Sequence, residues 1–126
     1  MSLRTPLAHV RGLGSAKDGT HHFWIQRLTA VALVPLTFLC ALGFMSLGSG
    51  DYESARAFIA HPLIAVLMVV SVAVLFHHGQ LGLQVVIEDY IHVEWMKLVA
   101  LMAVKFAAVV FALIGILAVI RIAVGG

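Results

Sequence analysis

Charge is scarce in this chain: only 11% of its 126 residues are Asp, Glu, Lys or Arg, against 62% that are hydrophobic. Soluble domains carry roughly 25% charged and 45–50% apolar residues, so a water-facing surface cannot be assembled from this composition. Mean hydropathy is +1.06, which points the same way. Cysteine is limited to Cys40, which excludes an internal disulfide and any cysteine set for an iron–sulfur cluster. Cys40 reads as a small packing residue inside an apolar run. A glycine fingerprint for flavin or dinucleotide binding is also missing. The chain has no internal repeat and no low-complexity tract. The small excess of positive charge, +2 with His neutral, calls for no nucleic acid.

What is present is three long apolar runs, about 23–47, 62–87 and 98–124. Each exceeds the ~20 residues that a helix needs to cross a hydrocarbon core of ~30 Å at ~1.5 Å per residue. The expected fold is therefore an all-α integral membrane protein with three transmembrane helices. The linkers are short, so residues 1–126 should form one antiparallel membrane-anchor domain. The first run is too long for a secretory signal and no small-residue cleavage pattern follows it, so it is expected to be retained. Arg4, Arg11, Lys17, Arg27, Lys97 and Lys105 fall on one side of this layout, and Arg56 and Arg121 on the other. Positive loops stay cytoplasmic, which predicts a cytoplasmic N-terminus and a C-terminus on the opposite side.

Ionisable groups inside a span cost roughly 2.5–3.5 kcal/mol at the helix centre, so each needs a partner, a cavity or a route to the headgroups. Arg121 sits in the last turn of the third span and reads as an interfacial anchor. Lys105 either snorkels or serves a buried role. Every acid, namely Asp18, Asp51, Glu53, Glu88, Asp89 and Glu94, lies in a tail or loop of this layout. A small multidrug-type transporter wants an acid within a span to exchange protons for cationic cargo, which counts against that function.

Two stretches concentrate the remaining polar groups. "THHFWIQR" sets His21, His22, Trp24 and Arg27 over two turns at the start of the first span. By itself it fits an aromatic belt with a positive anchor, and, depending on what the second span holds, a cationic shelf for an anionic group such as a cofactor carboxylate. "LFHHGQLGLQVVIEDY" closes the second span. Helical spacing groups His78 with Ser71, Val74, Leu75, Gly82 and Val85, and Gly82 removes a side chain one turn beyond the imidazole. His77 falls on the side of Ala73, Leu81 and Gln84. A neutral imidazole on an apolar wall can ligate haem iron, or it can hydrogen-bond to a neighbouring helix while glycine allows close packing. Tyr90 lies ~18 Å beyond His78 at ~1.5 Å per residue, near the interface. Asp89 and Tyr90 can end a helix in an aromatic belt, or present a phenol beside a carboxylate to a quinone carbonyl.

Together the two stretches, H-x5-R before the first span and H-x3-G-x6-D-Y closing the second, resemble the small hydrophobic membrane anchor of succinate dehydrogenase (respiratory complex II). The likeness covers the three-span layout of almost the whole chain. An S-x-x-H-R-x-T-G-like opening, which goes with the other, larger anchor of that complex, is missing. The resemblance implies that His78 rather than His77 is an axial ligand of haem b, its partner histidine being supplied by the larger anchor. Gly82 would leave room for the macrocycle, with Arg27 and His21 near the haem propionates. Tyr90, supported by Asp89 and with Arg27 nearby, would bind ubiquinone. Electrons would arrive from succinate through a flavoprotein subunit and an iron–sulfur subunit, so this chain would not be catalytic alone. The setting implied is the bacterial inner (cytoplasmic) membrane. The alternatives are a non-redox structural membrane subunit and the anchor of a quinol:fumarate reductase.

Overall fold

In a computed structural model, residues 7, 10, 16–48 and 50–125 are described, with side chains in the first helix described from residue 20 onward. Arg4 and Arg11 lie outside the described residues, as do the side chains of Lys17 and Asp18. Four helices make up the described chain: α1 (Ala16–Ser46), α2 (Tyr52–Ala60), α3 (Pro62–Tyr90) and α4 (Glu94–Ala123). No strand occurs among the described residues. Three helices are long and apolar enough to cross a membrane, over Thr20–Ser46, Pro62–Tyr90 and Glu94–Ala123. In lipid a helix meets all its backbone hydrogen-bonding needs internally, which is why these runs take that form.

Three long helices carry the three expected apolar runs, with helix ends that differ from the ends of the runs. α3 runs on to Tyr90 and α4 begins at Glu94, so the connection between them is only residues 91–93. Hydropathy drops at Glu88, Asp89, Glu94 and Lys97, but the backbone stays helical where such side chains reach the headgroup region. Lys97 and Glu94 form an ion pair at 3.3 Å on the first turns of α4.

The first linker contains a helix that the apolar pattern does not reveal. Asp51 caps α2, accepting from the Ser54 backbone N–H at 3.0 Å and from the Ser54 hydroxyl at 2.7 Å. These two bonds hold the Asp51 carboxyl below its ordinary pKa. The helix ends at His61, and Pro62, which needs no backbone N–H partner in a first turn, starts α3. Phe58 anchors α2 by stacking edge-on against Phe44 at 5.9 Å between ring centroids and by lying over Gly43, where a Cβ would come within 2.5 Å of its Cζ.

α3 is the central helix: it packs against α4 on one side and α1 on the other, while α1 and α4 make no substantial contact. The α3–α4 seam is antiparallel, with Phe76 stacked on Phe111 at 6.3 Å and Val72 lying against Gly115. The α1–α3 seam carries two polar contacts, Cys40 Sγ to Ser71 Oγ at 3.6 Å and Thr29 Oγ1 to His78 Nδ1 at 2.9 Å. Among the described residues only Ala65, Leu81 and Val119 are hydrophobic residues enclosed by the chain itself. A three-helix layer of this kind leaves its apolar faces to lipid and to other subunits.

Candidate functional site

The site is built where α1 and α3 meet near the end that carries Arg27 and Tyr90. A groove there is lined by Phe23, Gln26, Arg27 and Ala30 of α1 and by His78 of α3. The three-, four- and seven-residue spacings from Phe23 put the α1 members on one helical face. Arg27 extends over Phe23, its guanidinium carbon 4.9 Å from the ring centroid, a cation–π contact that holds the charge at the mouth of the groove. The arginine is otherwise exposed, so its donors are available to an anion.

His78 is half-buried. Its Nδ1 meets the Thr29 hydroxyl, and its Nε2 has no hydrogen-bond partner among the described residues. Gly82, one turn further along α3, faces open space: a Cβ built there would meet nothing within 4 Å. An imidazole nitrogen with no described hydrogen bond, a guanidinium in the same groove and a glycine over free volume are compatible with a flat, anionic, iron-bearing ring. No group of three or more His, Cys, Asp or Glu capable of holding a metal ion occurs among the described residues. A metal at His78 would need its other ligands from beyond these residues.

His78 and Arg27, which the sequence links only through family resemblance, therefore share one groove. His21 is exposed and does not line it. Its neighbour His22 is the more enclosed of the two, with Nε2 buried and without a hydrogen-bond partner among the described residues. Asp89 and Tyr90 are exposed at the end of α3, Tyr90 at 80%. Neither contacts Arg27 or His78 through any described hydrogen bond; the Tyr90 carbonyl instead meets His92 Nδ1 at 3.1 Å. Asp89 and Tyr90 thus stand apart from the groove of His78 and Arg27, Tyr90 being about 18 Å from His78 along α3 at ~1.5 Å per residue.

The face grouped by helical spacing divides more finely in space. Ser71 and His78 turn to α1, whereas Leu75 lines an apolar groove against α4 with Phe76, Gly79 and Phe111. His77 is exposed on the far side, in a second groove with Gln80 and Lys105. Lys105 and His77 therefore belong together and apart from His78.

Two features of the site are not apparent from the motifs. Thr29 is the inter-helix partner of His78, and no local spacing signals a contact between residues 49 positions apart. Gln80, Gln84 and Glu88 form a ladder along α3, Gln80 Nε2 donating to Gln84 Oε1 at 3.3 Å and Gln84 Nε2 to Glu88 Oε1 at 2.8 Å. Their regular four-residue spacing is the signal that could have found them.

Residues 1–112 match the family described as the succinate dehydrogenase/fumarate reductase transmembrane subunit. The chain is 32% identical over 110 residues to the succinate dehydrogenase hydrophobic membrane anchor subunit of Rickettsia bellii, covering 84% of this chain and 85% of that one. The protein of the same name from Paracoccus denitrificans is 32% identical over 114 residues, 86% of this chain and 88% of that one. A succinate dehydrogenase membrane anchor subunit from Porphyra purpurea is 32% identical over 114 residues, 90% and 95% of the two chains. No solved structure gives a significant match.

Proposed function

Because the chain belongs to the succinate dehydrogenase/fumarate reductase transmembrane subunit family, as a multi-pass membrane anchor, we propose that it shares haem b with a second, larger anchor and forms part of a ubiquinone reduction site. Electrons from succinate oxidation then pass into the quinone pool. The observation that carries the reading is His78, held at Nδ1 by Thr29 in the groove that also holds Arg27.

In this reading His78 Nε2 would hold the haem iron, since a neutral imidazole ligates through one nitrogen while the other is fixed by a hydrogen bond. Bound haem supplies a one-electron redox centre of tunable potential. Arg27 pairs with a propionate carboxylate by charge-assisted hydrogen bonds, and Phe23 keeps its guanidinium from turning away into the headgroups. Gly82 leaves the face beyond His78 clear, and His21, outside the groove but at the same end of α1, would add a hydrogen-bonding group near the propionates. A second histidine to the same haem would come from the larger anchor.

Tyr90 acts on the quinone. Its phenol O–H donates to a carbonyl oxygen as negative charge develops there, with Asp89 orienting the local network. Exposure of Tyr90 and Asp89 supports a pocket whose other walls are the iron–sulfur subunit and the larger anchor. Succinate oxidation would take place in the flavoprotein subunit. With the N-terminus cytoplasmic in a bacterial inner membrane, the Arg27 and Tyr90 end faces the peripheral subunits and the source of protons.

The test is purification of the intact membrane complex through a tag on this chain. A copurifying flavoprotein and a b-type reduced-minus-oxidised spectrum are expected. A complex with neither would make the chain a structural membrane subunit.

A further inference from the structure

Thr29 Oγ1 makes three short contacts: 2.8 Å to the Ile25 carbonyl oxygen, 3.0 Å to the Gln26 carbonyl oxygen and 2.9 Å to His78 Nδ1. A hydroxyl has one proton and two lone pairs, and carbonyl oxygens have no proton to give. The two oxygen–oxygen contacts are attractive only if the Thr29 proton points at those carbonyls, the usual back-bonding of Thr within a helix. The contact with His78 must then run the other way, with Nδ1–H donating to Thr29 Oγ1. If Thr29 donated to Nδ1 instead, two lone-pair repulsions would remain at 2.8 and 3.0 Å.

We propose that Thr29 is a positioning residue that holds the His78 imidazole in its Nδ1–H form and sets the ring plane, presenting the unprotonated Nε2 to haem iron. The inference rests on the haem reading above and adds to it which atom of α1 controls the ligand. The carbonyls of Ile25 and Gln26 belong to the helix backbone, so the hydroxyl is oriented by α1 itself rather than by a mobile side chain. The second α1–α3 contact repeats the pattern: Ser71 Oγ back-bonds to the Leu67 carbonyl oxygen at 2.7 Å and meets Cys40 Sγ at 3.6 Å. Two contacts fix the register of α1 on α3, and the one at His78 therefore fixes an imidazole rather than merely accepting it. Donation from Nδ1–H also raises electron density on the ligating nitrogen, which favours the oxidised iron.

The experiment compares Thr29→Val, which keeps the shape and removes the hydroxyl, with Thr29→Ser, which keeps the hydroxyl, in the assembled complex. The readouts are the haem midpoint potential and the low-spin ferric electron paramagnetic resonance signal. Thr29→Val should shift the potential upward and move the resonance, and Thr29→Ser should restore both. Val and Ser variants that both match the unaltered complex, or that shift alike, would overturn the proposal. If Thr29→Val does not assemble, solid-state NMR of the unaltered, reduced complex labelled with 15N-histidine decides. A hydrogen-bonded Nδ1–H on His78 supports the proposal, and an Nδ1–H free of a hydrogen bond, or an unprotonated Nδ1, overturns it. A His78→Ala complex that keeps the full bis-histidine signal would instead overturn the haem reading itself, whatever the Thr29 variants do.

Discussion

Gly115 of α4 lies so close to Val72 of α3 that a Cβ added to the glycine would stand 3.0 Å from Val72 Cγ1. Small residues let helices approach in lipid, where packing rather than water exclusion drives association. Gly115→Ala should be tolerated with a slight outward shift of Val72. Gly115→Leu should overpack the seam and cost about 1–3 kcal/mol. Thermal stability of the detergent-solubilised complex checks the difference.

α2 depends on a single cap. Asp51 accepts both the backbone N–H and the hydroxyl of Ser54, and those bonds lower its pKa from the ordinary carboxylate value. A lowered folded-state pKa means the cap contributes fully above the unfolded value and is lost as pH falls through the folded one. Hydrogen exchange at the Ser54 amide should therefore be protected at neutral pH, after correction for intrinsic rates, and lose protection in acid below about pH 3.8. Asp51→Ala should remove that protection at every pH, while Asp51→Asn, also a good cap, should keep most of it.

Arg27 is held over Phe23 at 4.9 Å. Arg27→Gln removes the charge that pairs with a carboxylate and should make bound haem easier to extract by detergent without abolishing its ligation. Phe23→Leu should give a smaller effect in the same direction, since the guanidinium loses its platform but keeps its charge. Haem retained per complex after a detergent wash measures both.

Tyr90, exposed at the end of α3, provides one phenolic donor. Tyr90→Phe should lower quinone reductase activity about a hundredfold, the scale of losing one well-placed proton donor in the transition state. Succinate-driven reduction of a soluble acceptor and the haem spectrum should be unchanged, because neither requires that hydroxyl. Equal loss of all three would show a folding defect instead.

Much of this arrangement is legible in the amino acids alone. The three apolar runs set the number of spans, because no other fold leaves so little polar surface. Helical periodicity groups Ser71 with His78, and both do face α1. α2 stays hidden because a nine-residue helix is too short for a periodic signal to stand out from a linker, although Asp51 followed by Ser54 marks its start. Helices continue beyond the apolar runs at Glu88–Asp89 and Glu94–Lys97, since hydropathy measures where lipid ends, not where hydrogen bonding ends. Thr29 is beyond the reach of any pattern: its role exists only once the register of α1 against α3 is known. His77 and Lys105 are ambiguous as single residues and become a pair only when α3 and α4 are set side by side.

The two adjacent histidines of α3 supply the most direct measurement. His78 meets Thr29 in the Arg27 groove, and His77 lies exposed with Gln80 and Lys105 on the other side. Dithionite-reduced minus oxidised spectra of the purified complex should lose or markedly alter the b-type band in His78→Ala and keep it in His77→Ala. A normal band in His78→Ala, or its loss in His77→Ala alone, would contradict the assignment of this groove as the haem face.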